Sequence, residues 1–198
     1  MADRRLFLAG SAATVATLAG CGTVGGGSWT TLIDGSNPNT LVGWSPLGVG
    51  NWMVADGAVQ GRDGKMGYLV SKDSYTDFEI RAEFWADVPA NSGIFIRCQD
   101  RNKVGADNSY EVNIFDKRPD PSYGTAAIVD FAKAPMPYPQ AANRWNTFEI
   151  TARGDHIVVV FNGQQTVDLR NGKFRSGPIA LQSAGGTIRF RKVQIRTL

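Results

Sequence analysis

Short runs of alternating apolar and polar residues, broken by Gly, Asp, Asn and Pro, recur along most of the chain. Residues 78–85 (Phe78-Glu79-Ile80-Arg81-Ala82-Glu83-Phe84-Trp85) alternate throughout. A period of two puts successive side chains on opposite faces of a strand, so this run predicts a half-buried strand. Residues 68–71, 93–99, 110–115, 145–151, 156–161, 179–182 and 187–195 predict further strands. Asp56-Gly57 joins residues 52–54 to 58–60, and Asn162-Gly163 joins residues 156–161 to 164–167. Both dipeptides accept the positive φ angles of a tight hairpin turn. No amphipathic helix of ordinary length is predicted beyond the first residues. Many short strands at near-regular spacing predict an all-β protein, an antiparallel sandwich or barrel. The same period places Phe78, Ile80, Ile94, Ile96, Val112, Ile114, Phe148, Ile150, Leu181 and Phe190 in its core. Cys98, in step with Ile94 and Ile96, reads as a small core residue on their face.

Residues 117–143 interrupt the strand pattern. They carry Pro119, Pro121, Pro135, Pro137 and Pro139, with Phe131 and Tyr138 among them. Long loops in compact domains are usually functional or disordered. The prolines stiffen this one, and the expectation is an ordered loop along one edge of a cleft.

The start of the chain follows different rules. Asp3-Arg4-Arg5-Leu6-Phe7-Leu8 opens an apolar run that ends in Leu18-Ala19-Gly20-Cys21. Charge, a short apolar run and small residues before a cut site predict a cleaved signal peptide over residues 1–20. Arg4-Arg5 resembles a twin-arginine signal. Leu18-Ala19-Gly20-Cys21 resembles a bacterial lipobox, which implies cleavage before Cys21 and a diacylglycerol on its thiol. Residues 21–28 then read as a Gly-rich tether and residues 29–198 as one folded domain. The expected location is the cell envelope, exported and lipid-anchored to the membrane. With Cys21 lipidated, only Cys98 remains, so no internal disulfide is expected.

The full chain carries a net charge of +3, and its basic residues are scattered. No basic tract interleaved with aromatics is present, which argues against a nucleic-acid partner. There is no Gly-rich phosphate loop and no His/Cys spacing of a metal site. His156 is the only histidine and sits beside a turn, so Ser-His-Asp and Cys-His machinery are discounted.

Some polar side chains share strands with core residues. Arg97 lies opposite Ile96, Glu111 and Asn113 opposite Val112, Gln182 opposite Leu181, and Arg191 beside Phe190. On neighbouring strands of one curved sheet they would line its concave face, and such groups suit sugar hydroxyls and carbonyls. Periodicity alone is equally consistent with an ordinary solvated face of paired Arg and Glu.

Residues 29–198 resemble the 3-keto-disaccharide hydrolase domain, a bacterial family with a concanavalin A-like jelly roll. The resemblance rests on Leu32-Ile33-Asp34-Gly35 with Gly43-Trp44, on Tyr75-Thr76-Asp77-Phe78-Glu79-Ile80, and on Asn91-Ser92-Gly93-Ile94 with Arg97. Tyr110-Glu111-Val112 with Asp116, Asn162-Gly163, Gly177-Pro178-Ile179-Ala180-Leu181-Gln182 and Phe190-Arg191 follow in the same order. It implies an antiparallel two-sheet jelly-roll sandwich acting on an oxidised (3-keto) disaccharide or glycoside. A base would remove the C2 proton, and the group at C1 would be eliminated. The resemblance makes Glu111 the candidate base and Arg97 the candidate partner of the enolate oxygen, with Arg191 beside it. Asn91, Asn113, Gln182 and Arg191 would hold the sugar. A divalent metal ion is an alternative electrophile, and no cofactor is otherwise implied. The family has histidine where this chain has Ser183, often Gln at Asn113 and often Asn at Lys192. The missing histidine favours a second reading, a non-catalytic carbohydrate-binding or cell-envelope module on the same fold.

Overall fold

A computed structural model describes residues 27–198. The expected signal peptide, Cys21 and most of the expected tether lie outside the described residues. The strands are β1 (Thr30–Asp34), β2 (Trp44–Gly48), β3 (Asn51–Ala55), β4 (Ala58–Arg62), β5 (Gly67–Tyr75), β6 (Phe78–Ala86) and β7 (Ser92–Ile96). They continue with β8 (Tyr110–Ile114), β9 (Trp145–Arg153), β10 (His156–Phe161), β11 (Gln164–Arg170), β12 (Gly177–Ser183) and β13 (Ile188–Thr197). The only helical turns among the described residues are short 3-10 turns at Thr40–Gly43 and Pro121–Tyr123.

Two antiparallel sheets form a sandwich. Sheet A runs β11-β10-β9-β6-β13-β4-β3, with β1 also paired to β13. Sheet B runs β2-β5-β12-β7-β8. This is the all-β jelly-roll architecture expected. Both expected hairpins are present, with Asp56 and Gly57 at φ 51° and 70° and Asn162 and Gly163 at 49° and 81°. Positive φ at both central residues matches the right-handed twist of the strands they join.

The inward faces meet in one apolar layer. Phe78, Ile80, Ile94, Ile96, Val112, Ile114, Phe148, Ile150, Leu181 and Phe190 are all buried there, as the alternation predicts. Phe84 stacks on Phe148 at 5.1 Å between ring centroids. Burial of apolar side chains supplies the main driving force, at about 25 cal/mol per Å². Strands β1 and β2 were not among the expected elements. In β2, Pro46 removes a ladder donor, which an edge strand tolerates, and β2 is the edge of sheet B.

The proline-rich loop is ordered along the β8 edge. Asn113 N donates to Ala127 O, Ala126 N to Asn113 O, and Val129 N to Glu111 O. Residues 126–129 thus extend sheet B beyond β8. Asp116 fastens the loop by accepting from Thr125 Oγ1 at 2.6 Å and from the backbone N–H groups of Ala141 and Ala142 at 2.9 Å.

Candidate active site on the outer face of sheet B

Register builds the site. Tyr68 of β5 pairs with Gln182 of β12, and Gly93 of β7 pairs with Asn113 of β8. Leu181 pairs with Ile94, so Gln182 stands next to Gly93. One row across the sheet therefore reads Tyr68, Gln182, Gly93, Asn113. The adjacent row reads Val70, Ala180, Phe95, Glu111. Leu69, Leu181, Ile94 and Val112 point the other way, into the core, which commits both rows to the outer face.

This face is largely covered. Tyr68, Val70, Phe95, Cys98 and Ala180 form a second apolar cluster, with Leu47 and Val104 packed on it. Tyr68 and Phe95 meet edge to face at 5.5 Å. Glu111 is 8% exposed, Gln182 5% and Asn113 0%. A Cβ built on Gly93 would lie 3.2 Å from Glu111 Cγ and 3.4 Å from Oε1. The glycine thus leaves space for the Glu111 side chain to lie across the sheet.

Burial sets the electrostatics. Desolvation raises the Glu111 pKa from 4.5 to about 7, against a lowering by Arg118, and Asp130 adds a small raise. Burial also raises the Tyr68 pKa, partly offset by Gln182. The Asn113 side-chain amide donates to Tyr123 O at 2.7 Å, and that of Gln182 reaches Tyr68 Oη at 3.4 Å. Asn113 Oδ1 and Gln182 Oε1 are buried without a partner. An unpaired buried acceptor costs about 1–3 kcal/mol, so two in one row, on either side of Gly93, are an arrangement suited to donors from outside.

Glu111, Asn113 and Gln182 are therefore brought to one face, as expected; Asn91 lies just before β7, outside these two rows. Asn91 is half-buried and bridges Gly185. Arg97 is not among them, which corrects the expectation. Strand β7 ends at Ile96, and Arg97 adopts φ 55°, which breaks the alternation and turns its side chain away from that face. Its guanidinium is fully buried and makes five hydrogen bonds. Nε and Nη2 donate to Thr76 O (2.9 and 2.6 Å), Nη1 to Gly154 O (2.7 Å) and Phe174 O (3.3 Å), and Nη2 to Asp77 Oδ1 (3.2 Å). Every N–H of the fork is used, leaving none for a substrate. The same reversal moves Cys98 to the outer cluster rather than the face of Ile94 and Ile96. Burial pushes its thiol up to about 12, so it is not a thiolate at neutral pH.

Arg191 is also elsewhere. It sits in β13 on sheet A, at a bulge between Phe190 and Lys192. Its guanidinium lies 4.5 Å over the Trp145 ring and pairs with Glu83. The whole sandwich separates the two outer faces. The cation whose charge acts on Glu111 is Arg118, in the proline-rich loop, half-buried, with its guanidinium in no hydrogen bond or ion pair among the described residues. Arg118, Tyr68 and Gly93 were not anticipated as site residues. Tyr68 was legible in principle, since it shares parity with Val70 at the head of its strand. Arg118 carried no periodic signal.

Ser183 points opposite to Gln182. A Cβ on Gly61 of β4 would lie 2.5 Å from Ser183 Cβ, so this side chain faces sheet A and is fully buried. A different residue at position 183 would not by itself reach the Glu111 face. Asp116 is occupied by the loop contacts above. His156 pairs with Asp168 at 2.7 Å on sheet A. The oxygens that would hold a hard divalent cation are the Glu111 carboxylate, Asn113 Oδ1 and Gln182 Oε1, the donor types such ions take.

This chain belongs to the family of 3-keto-alpha-glucoside-1,2-lyase-like domains, whose model matches residues 28–196. A provisionally named glycosyl hydrolase from Parabacteroides distasonis has a similar structure. Its TM-score is 0.70 at 25% identity, over 86% of this chain and 100% of its own. A carbohydrate-binding module from Bacillus subtilis gives 0.58 at 20% identity, over 76% of this chain and 93% of its own. A Bacillus subtilis protein with a galectin-like fold gives 0.63 at 12% identity, over 81% of this chain and 92% of its own. These last two likenesses bear on the fold alone. A comparison with curated proteins gave no match.

Proposed function

We propose that this protein cleaves 3-keto-glycosides by elimination, with Glu111 as the base. The observation that carries the reading is a buried carboxyl with its pKa raised to about 7, lying against Gly93 on a face that also carries two amide oxygens without partners. A general base works best when its pKa lies near the working pH.

A ketone at C3 acidifies the hydrogen at C2. The Glu111 carboxylate takes that proton, and the electron pair moves into the C2–C3 enolate. The enolate then collapses to the ketone, a C1–C2 double bond forms, and the C1–oxygen bond breaks. The departing oxygen takes up a proton, and water adding across the double bond completes a net hydrolysis. The Arg118 guanidinium is the cation available to the developing enolate charge. Asn113 Oδ1 and Gln182 Oε1 accept from sugar hydroxyls, and the Tyr68 hydroxyl donates or accepts beside them.

The diagnostic experiment runs cleavage of a 3-keto-α-glucoside in D₂O and inspects the free sugar at early times. Elimination followed by water addition predicts deuterium at C2. Product carrying only protium there contradicts the route. Binding without any cleavage would instead assign the face to a carbohydrate-binding module.

The address of the enzyme rests on residues 1–21, outside the described residues. Export and a lipid on Cys21 are proposed from Leu18-Ala19-Gly20-Cys21. Membrane fractionation of wild type and Cys21→Ala tests this, and equal distribution of the two would refute it.

A further inference from the structure

A second cleft lies away from the Glu111 face. It has a volume of about 450 Å³ and opens between β1, the 3-10 turn after it, β2 and β5. Small-molecule sites typically span about 300–1,000 Å³. Strand β5 supplies Ser71, Asp73 and Tyr75 to its wall. These have the parity opposite to Tyr68 and Val70, so the cleft and the Glu111 face lie on opposite sides of sheet B.

The chemistry of the wall is selective. The Tyr75 ring is half-buried and held by an edge-to-face contact with Phe78 at 6.1 Å, which fixes one aromatic plane at the cleft. Asp34 and Asp73 supply carboxylates, and Asn37 and Asn39 supply amides. One Asp34 oxygen accepts from the backbone and hydroxyl of Ser36. The Asp73 carboxylate has no hydrogen-bond or ion-pair partner among the described residues. Asp73 also contributes to raising the Tyr75 pKa, which places its charge near the ring. Among the described residues no Lys or Arg lines this cleft, and Lys192, across from Asp34 on β13, is the one cation that lowers the Asp34 pKa, so an anion would meet net negative charge. An apolar ligand would bury these polar groups unpaired. No three His, Cys, Asp or Glu side chains converge among the described residues, which removes the usual basis for a metal site. A ligand with many hydroxyls, no charge and apolar C–H faces satisfies all of these constraints.

We infer that the cleft between β1 and β5 is a second binding site for an uncharged mono- or disaccharide, separate from the Glu111 face. Hydroxyls donate to Asp34 and Asp73 and exchange both roles with Asn37 and Asn39, while a C–H face of the sugar lies on Tyr75.

Calorimetric titration of the purified protein with maltose, trehalose and sucrose, none of them oxidised, tests this. The expected result is saturable binding of at least one sugar. Asp73→Ala and Asn39→Ala, both at exposed positions, should each weaken that binding by about tenfold or more, the loss expected for a hydrogen bond to a charged group or a pair of amide bonds. Turnover of 3-keto-glucosides by these two variants should be unchanged, and Gln182→Ala should leave maltose, trehalose or sucrose affinity unchanged. Absence of saturable binding of all three sugars overturns the inference. Binding that survives both Asp73→Ala and Asn39→Ala overturns it as well, and a loss confined to Gln182→Ala would assign the unoxidised sugars to the Glu111 face. The calorimetric results do not depend on whether the Glu111 face is catalytic, so failure of this inference and failure of the proposed function are told apart.

Discussion

Gly93 and Glu111 are matched in space: the Cβ that Gly93 lacks would stand 3.2 Å from Glu111 Cγ. The glycine is the second residue of β7, where a side chain would otherwise rise from the sheet. Its φ is not in the left-handed region, so conformational need does not explain it. The space it leaves does.

Gly93→Ala should therefore act on the carboxylate rather than on the backbone. The added methyl also meets Val112 O at 3.2 Å, and overpacking of this kind costs about 1–3 kcal/mol. The folded variant is expected to lose about 10²-fold in kcat, the scale of a small misplacement of a reacting group. Steady-state kinetics beside a thermal melt separates the two effects. A variant with native kcat would show that Glu111 does not need this position.

The Glu111 pKa also makes stability depend on pH. Folded, the carboxyl holds its proton up to about pH 7, whereas the unfolded group releases it near 4.5. Between these values the native state binds more protons than the unfolded state, so this group's contribution to stability falls as pH rises. The fall starts near pH 4.5 and is complete above pH 7, at about 2–4 kcal/mol. Glu111→Gln has no such term. Its melting temperature relative to wild type should increase from pH 4.5 to 7 and stay level above. A constant difference across that range would refute the raised pKa. Activity should move the opposite way, rising through about pH 7 as the base ionises.

Arg97 tests the corrected assignment. Its five bonds tie the β5–β6 turn, the β9–β10 turn and the Phe174 segment together. Arg97→Leu leaves Asp77 and the carbonyls of Thr76, Gly154 and Phe174 without their partner. Asp77 is 35% exposed and keeps the Gly154 N–H, so the cost comes mainly from the unpaired carbonyls, at about 1–3 kcal/mol. Urea unfolding should show that loss, while kcat per folded molecule stays at the wild-type value. A large drop in kcat with native stability would return Arg97 to the active site.

Arg118 takes the opposite pattern. It anchors nothing among the described residues, so Arg118→Gln should melt like wild type. If it faces the enolate, kcat should fall by about 10²–10³-fold, and the Glu111 pKa seen in the rate profile should move up, because Arg118 lowers it. Unchanged kcat and pH profile would remove Arg118 from the reaction.

What the sequence made legible follows from where period two survives. Ile94, Val112 and Leu181 keep strict alternation, so the core and the outward parity of Glu111, Asn113 and Gln182 could be read directly, whereas the adjacency of their strands could not. Arg97 and Arg191 sit at breaks in that period, one at a positive φ and one at a β-bulge. Neither break carries a compositional mark, because both use Arg rather than the Gly that often signals such a break. The place of Arg118 near Glu111 follows from the path of a long loop, which depends on Asp116 meeting Ala141 and Ala142, contacts far apart in the chain. The edge strand β2 was missed because Pro46 reads locally as a breaker, and only its position at the sheet edge makes it acceptable.

The most direct test of the central claim is the initial rate of cleavage of one 3-keto-α-glucoside by wild type and by Glu111→Gln, run beside the unoxidised parent glycoside. Removing a general base costs about 10²–10⁴-fold in rate. The account predicts cleavage of the keto-substrate by wild type, a loss of that size in Glu111→Gln with substrate binding retained, and no cleavage of the parent by either. Full turnover by Glu111→Gln, or cleavage of the parent as fast as the keto-substrate, would contradict it.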